Sequence, residues 1–340
     1  MGRTRIVLIS ATIILVTIIA MCLLAGCDSK KPTSPAPSAF QGQAAQPKQE
    51  RRALLLDRER NNVLVYFATK DAKNLVPVTL PINPTNRAAE IAVEKLLAGP
   101  PGPALLRKTL PEGTKIRRLY MEDSTAVIDL TGQIKNLPDR PGVELALRSL
   151  SLTLSQFPNV TEIRLLADGE QLSSLGGVDL SKPYPRPETV NLGPRPAAKT
   201  RVEVFFADQQ SMYLVPLSIG VRDGSKTKEL ALQAAEALLA GPPANSGLIR
   251  TVWPGTKVLG LEIEGETAII KLSKDAINYG GGATAETMLV NSLVYTLTGI
   301  QGINQVQIVI NGLKLIYLPE GTDISKPIFR PDKINFIGSR

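Results

Sequence analysis

The sequence predicts an α+β protein built from two tandem copies of a small β-β-α-β-β-α-β domain, with both helices packed on one face of a mixed sheet. Three observations predict it. The six residues LLAGPP stand at Leu96–Pro101 and again at Leu238–Pro243. Further segments match in the same order, at offsets that drift only from 139 to 144. They include VLVYFATKDAKNLVPV with VEVFFADQQSMYLVPL, TLPEGTKIRRL with TVWPGTKVLGL, STAVIDL with ETAIIKL and DLSKPYPRP with DISKPIFRP. So long a period means duplication of a domain, because solenoid repeats recur every ~20–50 residues. Within each copy, runs of strand character are interleaved with apolar residues at helical spacing.

The elements follow in order. VLVYFA from Val63 and VEVFFA from Val202 are β-rich, and Tyr66 and Phe67 are read as core. Short strands come next, over Leu75–Leu80 and Leu214–Ser218. Ala89, Ala92, Val93, Leu96 and Leu97 lie at i, i+3, i+4, i+7 and i+8. Ala231, Ala234, Ala235, Leu238 and Leu239 do the same, so each copy has a helix with one apolar face. Gly99 and Gly241 supply a left-handed position after it, and the prolines forbid continuation. LLAGPP is therefore a helix end with its stop signal. Ile116–Met121 and Thr125–Leu130 alternate around Glu122-Asp123-Ser124, a hairpin whose second-copy turn is Glu264-Gly265-Glu266. A second helix carries Val143, Ala146, Leu147, Leu150, Leu154 and Phe157. Its partner carries Glu286, Leu289, Val290, Leu293, Leu297 and Ile300, and the acidic Glu286 suggests a frayed or exposed first turn. Ile163, Leu165 and Ala167, matched by Val306, Ile308 and Ile310, form the last strands. These end in Asp168-Gly169 and Asn311-Gly312, which suit a type I′ turn. The copies run over residues 51–187 and 200–335. The Pro-containing stretch 188–199 between them has no apolar period and reads as a short, stiff linker.

The N-terminus reads as an address. Arg3 and Arg5 precede an uncharged, mostly apolar run, Ile6–Leu24, and then Leu24-Ala25-Gly26-Cys27. This tetrad resembles the bacterial lipobox, in which cleavage falls between Gly26 and Cys27 and the thiol of Cys27 takes diacylglycerol. Residues 1–26 are thus expected to be a lipoprotein signal peptide, and two acyl chains suffice for stable anchoring. An uncleaved transmembrane anchor is the alternative, since about 20 apolar residues span a bilayer. Cleavage removes Arg3 and Arg5 and takes the side-chain charge from +8 to +6. Residues 27–50 are rich in Pro, Ser, Ala and Gln, with Phe40 as the one large apolar side chain, and read as a flexible tether.

Composition removes several chemistries. The chain has no histidine, and its two cysteines are Cys22 and Cys27. A Ser-His-Asp triad, a Cys-His pair, a Cys/His zinc site and a structural disulfide are excluded by inventory. No phosphate-binding glycine motif of either common type occurs. No cofactor, metal or nucleic-acid partner is expected.

The ordered set of motifs is identified as that of the GerMN domain family of sporulation and spore germination. It is carried by Tyr66-Phe67 and Phe205-Phe206, Leu75–Val78 and Leu214–Leu217, Leu96–Pro100 and Leu238–Pro242, Leu110–Lys115, Thr125–Leu130, Leu293–Thr298 and Val306–Gly312. The resemblance covers Val63–Pro187 and Val202–Pro331. It implies a non-enzymatic assembly protein outside the cytoplasmic membrane, between mother cell and forespore or at the spore envelope. Other envelope or sporulation proteins would be its partners. Peptidoglycan or another anionic wall polymer is the alternative partner, suggested by the basic charge.

The remaining candidates have plainer readings. Lys115-Ile116-Arg117-Arg118 is a basic strand, expected to be a solvated face. Gly280-Gly281-Gly282 precedes a helix and is expected to be an ordinary loop. Trp253 replaces Pro111 of the first copy and is expected to pack in the core or at its edge. An enzyme on wall glycans would need two carboxylates about 5–10 Å apart. Glu112, Glu122, Asp123 and Asp129 are the clustered acids, and Asp129 becomes Lys271 in the second copy.

Overall fold

The structure is a computed structural model that describes residues 58–102, 105–224, 226–278, 280, 282–311 and 316–338. Cys27, Gly26, the signal peptide and the tether lie outside the described residues. The first copy contains β1 (Arg60–Thr69), β2 (Leu75–Thr85), α1 (Ala88–Ala98), β3 (Ile116–Glu122), β4 (Thr125–Leu130), α2 (Arg140–Leu154) and β5 (Glu162–Ala167). The second contains β6 (Arg201–Ala207), β7 (Leu214–Gly220), α3 (Thr227–Ala240), β8 (Val258–Glu264), β9 (Thr267–Leu272), α4 (Gly282–Leu297) and β10 (Gln305–Ile310). The order is β-β-α-β-β-α-β twice.

The centre of the mixed sheet is made by the last three of these strands in each copy, and short strands extend it, Glu170–Gln171 and Tyr184–Pro185 in the first and Ile328–Phe329 in the second. β3 pairs antiparallel with β4, and β4 pairs parallel with β5. β8, β9 and β10 repeat this. A parallel pair needs a crossover, which α2 and α4 provide. β1 and β2 stand apart from this sheet as a separate hairpin, and β6 and β7 do likewise. One apolar core nevertheless runs through both copies.

The hairpins stand apart because a helix covers most of the free edge of β1, and only its end, Ala68–Thr69, pairs with the short strand Leu106–Arg107. The Leu64 N–H donates to Gln156 Oε1 at 2.9 Å, and Gln156 Nε2 donates to the Leu64 carbonyl at 2.6 Å. The Tyr66 N–H donates to Thr153 Oγ1 at 3.3 Å, and Ser149 Oγ donates to the Tyr66 carbonyl at 2.6 Å. α2 thus does for β1 what a neighbouring strand would do, and no backbone polar group is orphaned there. In the second copy the Phe205 N–H donates to Thr296 Oγ1 at 3.1 Å. Apolar spacing found these helices but passed over their buried Ser/Thr row.

The opposite edges face each other between the copies. Asn191 Oδ1 accepts from the Leu75 N–H, while its Nδ2 donates to the carbonyls of Leu75 and Pro216 at 2.8 and 2.7 Å. Asn335 mirrors this. Its Oδ1 accepts from the Leu214 N–H, and its Nδ2 donates to the carbonyls of Leu214 and Pro77 at 2.7 and 2.8 Å. Leu75 and Leu214 are repeat-equivalent, as are Pro77 and Pro216, so the two copies exchange roles as by a local twofold. The tails complete the pattern. Ser218 N–H donates to the Asn191 carbonyl and Gly193 N–H to the Ser218 carbonyl. Thr79 N–H donates to the Ile334 carbonyl and Ile337 N–H to the Thr79 carbonyl. The stretch read as a linker is therefore the docked tail of the first copy. It matches the tail of the second residue by residue, Pro187-Glu188-Thr189-Val190-Asn191 with Pro331-Asp332-Lys333-Ile334-Asn335.

Three local expectations change. Glu286 is not in a frayed or exposed turn but is 1% exposed. Its carboxylate accepts the N–H groups of Glu320 and Thr322 at 2.7 and 2.8 Å, which repays its desolvation. Gly99 and Gly241 have φ of 92° and 84° but ψ of 176° and 171°, so they sit in the extended glycine region and not the left-handed helical one. Phe67 is fully buried, whereas Tyr66 is half-buried. The Asp168-Gly169 turn has φ of 55° and 88°, and Ala167 pairs with Glu170 across it, as a type I′ hairpin requires.

Replacing Asn191 by Leu removes three side-chain hydrogen bonds and leaves buried backbone groups unmet. The expected loss is about 2–4 kcal/mol, with Asn335→Leu similar by symmetry. Urea unfolding followed by circular dichroism checks it. Unchanged midpoints in both variants would refute this role for the clasp.

Candidate functional site

The clustered acids do not converge. Glu112 pairs with Lys108 at 2.8 Å, and Glu122 pairs with Arg164. Asp123 occupies the β3–β4 turn at φ 52°. Asp129 is buried and accepts the Gly169 N–H at 2.8 Å, with Arg117 Nη1 3.8 Å away. Arg117 also lies 3.7 Å from Asp168. It occupies the bulge at which the β3–β4 register shifts, so its side chain is aimed back over the end of the sheet. The basic strand is thus partly neutralised, and Asp129 holds a turn. In the second copy the trio Arg117, Asp129 and Asp168 becomes Leu259, Lys271 and Asn311 together, and Leu259 again sits at a register shift. The departure of Asp129 is therefore part of an exchange of a whole ion cluster. Among the described residues no group of three or more His, Cys, Asp or Glu could hold a metal ion.

Trp253 is 44% exposed and sits in a turn closed by the Thr256 N–H to the Trp253 carbonyl. It is neither core nor covered edge, because the chain reverses there before β8. Gly282 opens α4 at φ 63°, and Gly281 lies outside the described residues.

A cluster of ionisable side chains lies beside the seam. Arg330 stacks 4.6 Å from the Tyr295 ring centre and 5.5 Å from that of Phe205. It also donates to the Tyr295 carbonyl at 2.9 Å. Tyr295 donates its hydroxyl to the Pro331 carbonyl, and burial pushes its phenol up to about 12, against the pull of Arg330. Burial also raises Glu203 above 4.5, against the pull of Arg330. Tyr66 of the first copy is pushed up to about 12 by burial and then by the Glu203 carboxylate of the second copy. No nucleophile is activated here, since each tyrosine is held more firmly protonated.

The first copy also holds an open cavity of about 260 Å³ between the β1–β2 turn, α2 and the docked tail. Lys73, Asn74, Glu144, Leu145, Arg148 and Leu192 contribute to its lining. Both hydrogen bonds of Arg148 are made by Nη2, to the carbonyls of Thr189 and Val190. Glu144 is held by Arg140 at 2.8 Å.

Comparison with known proteins agrees with this double architecture. The family model for Germane, sporulation and spore germination, matches residues 64–173 and 203–316, one stretch in each copy. The chain belongs to this family. The spore germination protein GerM of Bacillus subtilis (strain 168) is 25% identical over 279 residues, covering 77% of this chain and 75% of that protein. The solved tandem GerMN domains of the sporulation protein GerM from Bacillus subtilis share the fold, with a TM-score of 0.61 and 23% identity. That match covers 81% of this chain and 98% of the other. The chain is thus a tandem GerMN-domain member of the sporulation and spore germination family.

The features that sequence reasoning missed are the clasp asparagines and the cavity. The match of the two tails was a usable signal for the asparagines. The cavity has none, because it forms among a turn, a helix and a tail far apart in sequence.

Two outcomes follow. Asp129→Lys alone should cost roughly 2–4 kcal/mol by stranding Arg117 and the Gly169 N–H. Adding Arg117→Leu and Asp168→Asn should recover most of it, and a mutant cycle by chemical denaturation measures the coupling. For Glu203, a folded-state value above the unfolded one means that stability is full below the unfolded value and falls as pH rises through the folded one. Glu203→Gln should therefore raise the thermal midpoint at neutral pH, with the gain vanishing below about pH 4. A gain that grows on acidification would contradict burial as the dominant effect.

Proposed function

We propose that the chain is a membrane-anchored, non-enzymatic interaction lipoprotein of the cell envelope that acts in sporulation and spore germination. The observation that carries it is the family match in both copies, on a chain that opens with a basic n-region, an apolar run and a lipobox at Cys27. The spore germination name of the Bacillus subtilis relative supports the setting. A binding role is supported by the disposition of the charged groups. The acids that an enzyme on glycans would need are spent on Lys108, Arg164 and the Asp168-Gly169 turn.

In this reading Cys27 carries diacylglycerol, and residues 28–50 lead from the membrane to the folded unit. The two copies act as one compact unit, because each tail asparagine ties its own strand to that of the other copy. Partners would be other envelope or sporulation proteins on the outer side of the cytoplasmic membrane. Wall polymer is the competing partner class, and salt-sensitive co-sedimentation with purified sacculi would favour it.

A C-terminal fluorescent tag followed through growth and sporulation tests the reading, with Cys27→Ala as control. The expected result is signal on the engulfing membrane during sporulation, released in the Cys27→Ala variant. Constant signal around every cell would refute the sporulation role. Membrane retention of the variant would refute the lipid anchor.

A further inference from the structure

The cavity beside α2 differs in chemistry from the same place in the second copy. Lys73, Glu144 and Arg148 are replaced there by Met212, Thr287 and Asn291, so the first copy alone has charged groups at these positions. Asn74 and Leu145 are replaced by Tyr213 and Met288. Tyr213 is buried, and Met288 packs on the cluster of Phe205, Leu214 and Tyr295. The second copy thus carries its own bulky apolar side chains where the first leaves an open space.

We propose that this cavity docks the C-terminal residue of a partner protein, taking an apolar side chain together with its free carboxylate. At about 260 Å³ the space lies below the usual 300–1,000 Å³ range of cofactor and drug-sized sites and suits one residue. Pro141, Leu145 and Leu192 supply an apolar wall, and Leu192 is 55% exposed while unoccupied. Arg148 is fixed through Nη2. Its Nη1, among the described residues, has no hydrogen-bond partner and is left to donate one charge-assisted bond to a carboxylate. Glu144 does not cancel this charge, because Arg140 already holds it. Lys73 also lines the cavity, tied to the Asn245 carbonyl at 3.1 Å and 3.9 Å from Asp71, which offsets part of its charge. A C-terminal residue is the compact way to present one apolar group and one carboxylate within a space of this size.

This inference rests on the reading of the chain as an interaction module, and its test separates the two. The probe is N-acetyl-L-phenylalanine, titrated into the full chain in detergent and followed by saturation-transfer NMR. Expected is saturable binding with a Kd on the order of 1 mM, the scale for a ligand of this size. N-acetyl-L-phenylalaninamide, which lacks the carboxylate, should bind at least tenfold more weakly. Arg148→Gln should weaken the acid at least tenfold. Lys73→Met and Leu145→Trp, which leave the Arg148 tail contacts in place, should weaken it severalfold and abolish it. Equal binding of acid and amide, no saturable binding, or full binding by a Leu145→Trp variant that melts like the parent would each overturn the proposal. Tighter binding of acetyl-Asp-Phe-amide than of the acid would overturn the C-terminal source. Failure of the probe with normal localisation of the tagged protein would sink the cavity and leave the interaction reading standing. Probe binding with sporulation-independent localisation would do the reverse.

Discussion

The structure depends on where the outward-facing backbone groups of two proline-bearing strands find partners. Pro77 sits opposite Tyr66, whose N–H and carbonyl are taken by α2, so this pair makes no ladder bonds and the missing proline N–H costs the hairpin nothing. The same alternation points the polar groups of Leu75 and Thr79 away from β1, toward the other copy. Left alone, that edge would be an invitation to uncontrolled pairing. The two tails occupy it together, the copy's own asparagine meeting Leu75 and the opposite tail meeting Pro77 and Thr79, and each asparagine amide reaches both strands. Every outward group of residues 75, 77 and 79, and of residues 214, 216 and 218, is thereby accounted for. Two domains joined in this way cannot separate without stripping each other's strands, so duplication has produced one compact unit.

The same logic of surrogate pairing explains the second helix. A helix that packed on its sheet only through leucines would leave Leu64 and Tyr66 with buried, unpaired backbone. Ser149 and Thr153, with Gln156 just past the helix end, turn one side of α2 into a donor–acceptor edge. Thr296 keeps the central contact in the second copy, whereas Gly299 stands where Gln156 would be. What the copies share is therefore the polar framework that closes their edges, as well as the apolar periodicity of their cores.

Much of this was legible in the sequence, and the rest failed for definite reasons. Helix faces, the β3–β4 hairpin and the Asp168-Gly169 turn are local patterns, fixed by spacing and by glycine. Glu286 was misread because hydropathy scores a carboxylate as exposed, while the two N–H groups that accommodate it lie more than thirty residues away. Trp253 was misread for the converse reason, since an aromatic in a reversing turn has no layer to enter. The seam was overlooked because Glu188–Asn191 has no apolar period. Its matched counterpart at Asp332–Asn335 carried the signal, and hydrogen-bonding asparagines leave no hydrophobic trace.

Comparing the copies separates constraint from opportunity. The clasp asparagines, the LVP strands, the LLAGPP helix ends and the bulge before β4 and β9 are held in both, and each has a structural duty that fails if altered. The faces that differ have no such duty in common. Pro111, Arg117, Ser173 and Ser174 of the first copy give way to Trp253, Leu259, Ile316 and Tyr317, all exposed. The equivalence of Ser173 and Ile316 is fixed by their carbonyls, which accept the N–H groups of Leu180 and Ile324. The first copy has a proline, an ion-paired arginine and two hydroxyls at these positions, and the second presents large apolar side chains to solvent. These exchanges alter the chemistry of the surface and leave the shared polar framework of the seam untouched. Duplication thus kept the hydrogen bonds that join the copies and let the side chains that take no part in them diverge.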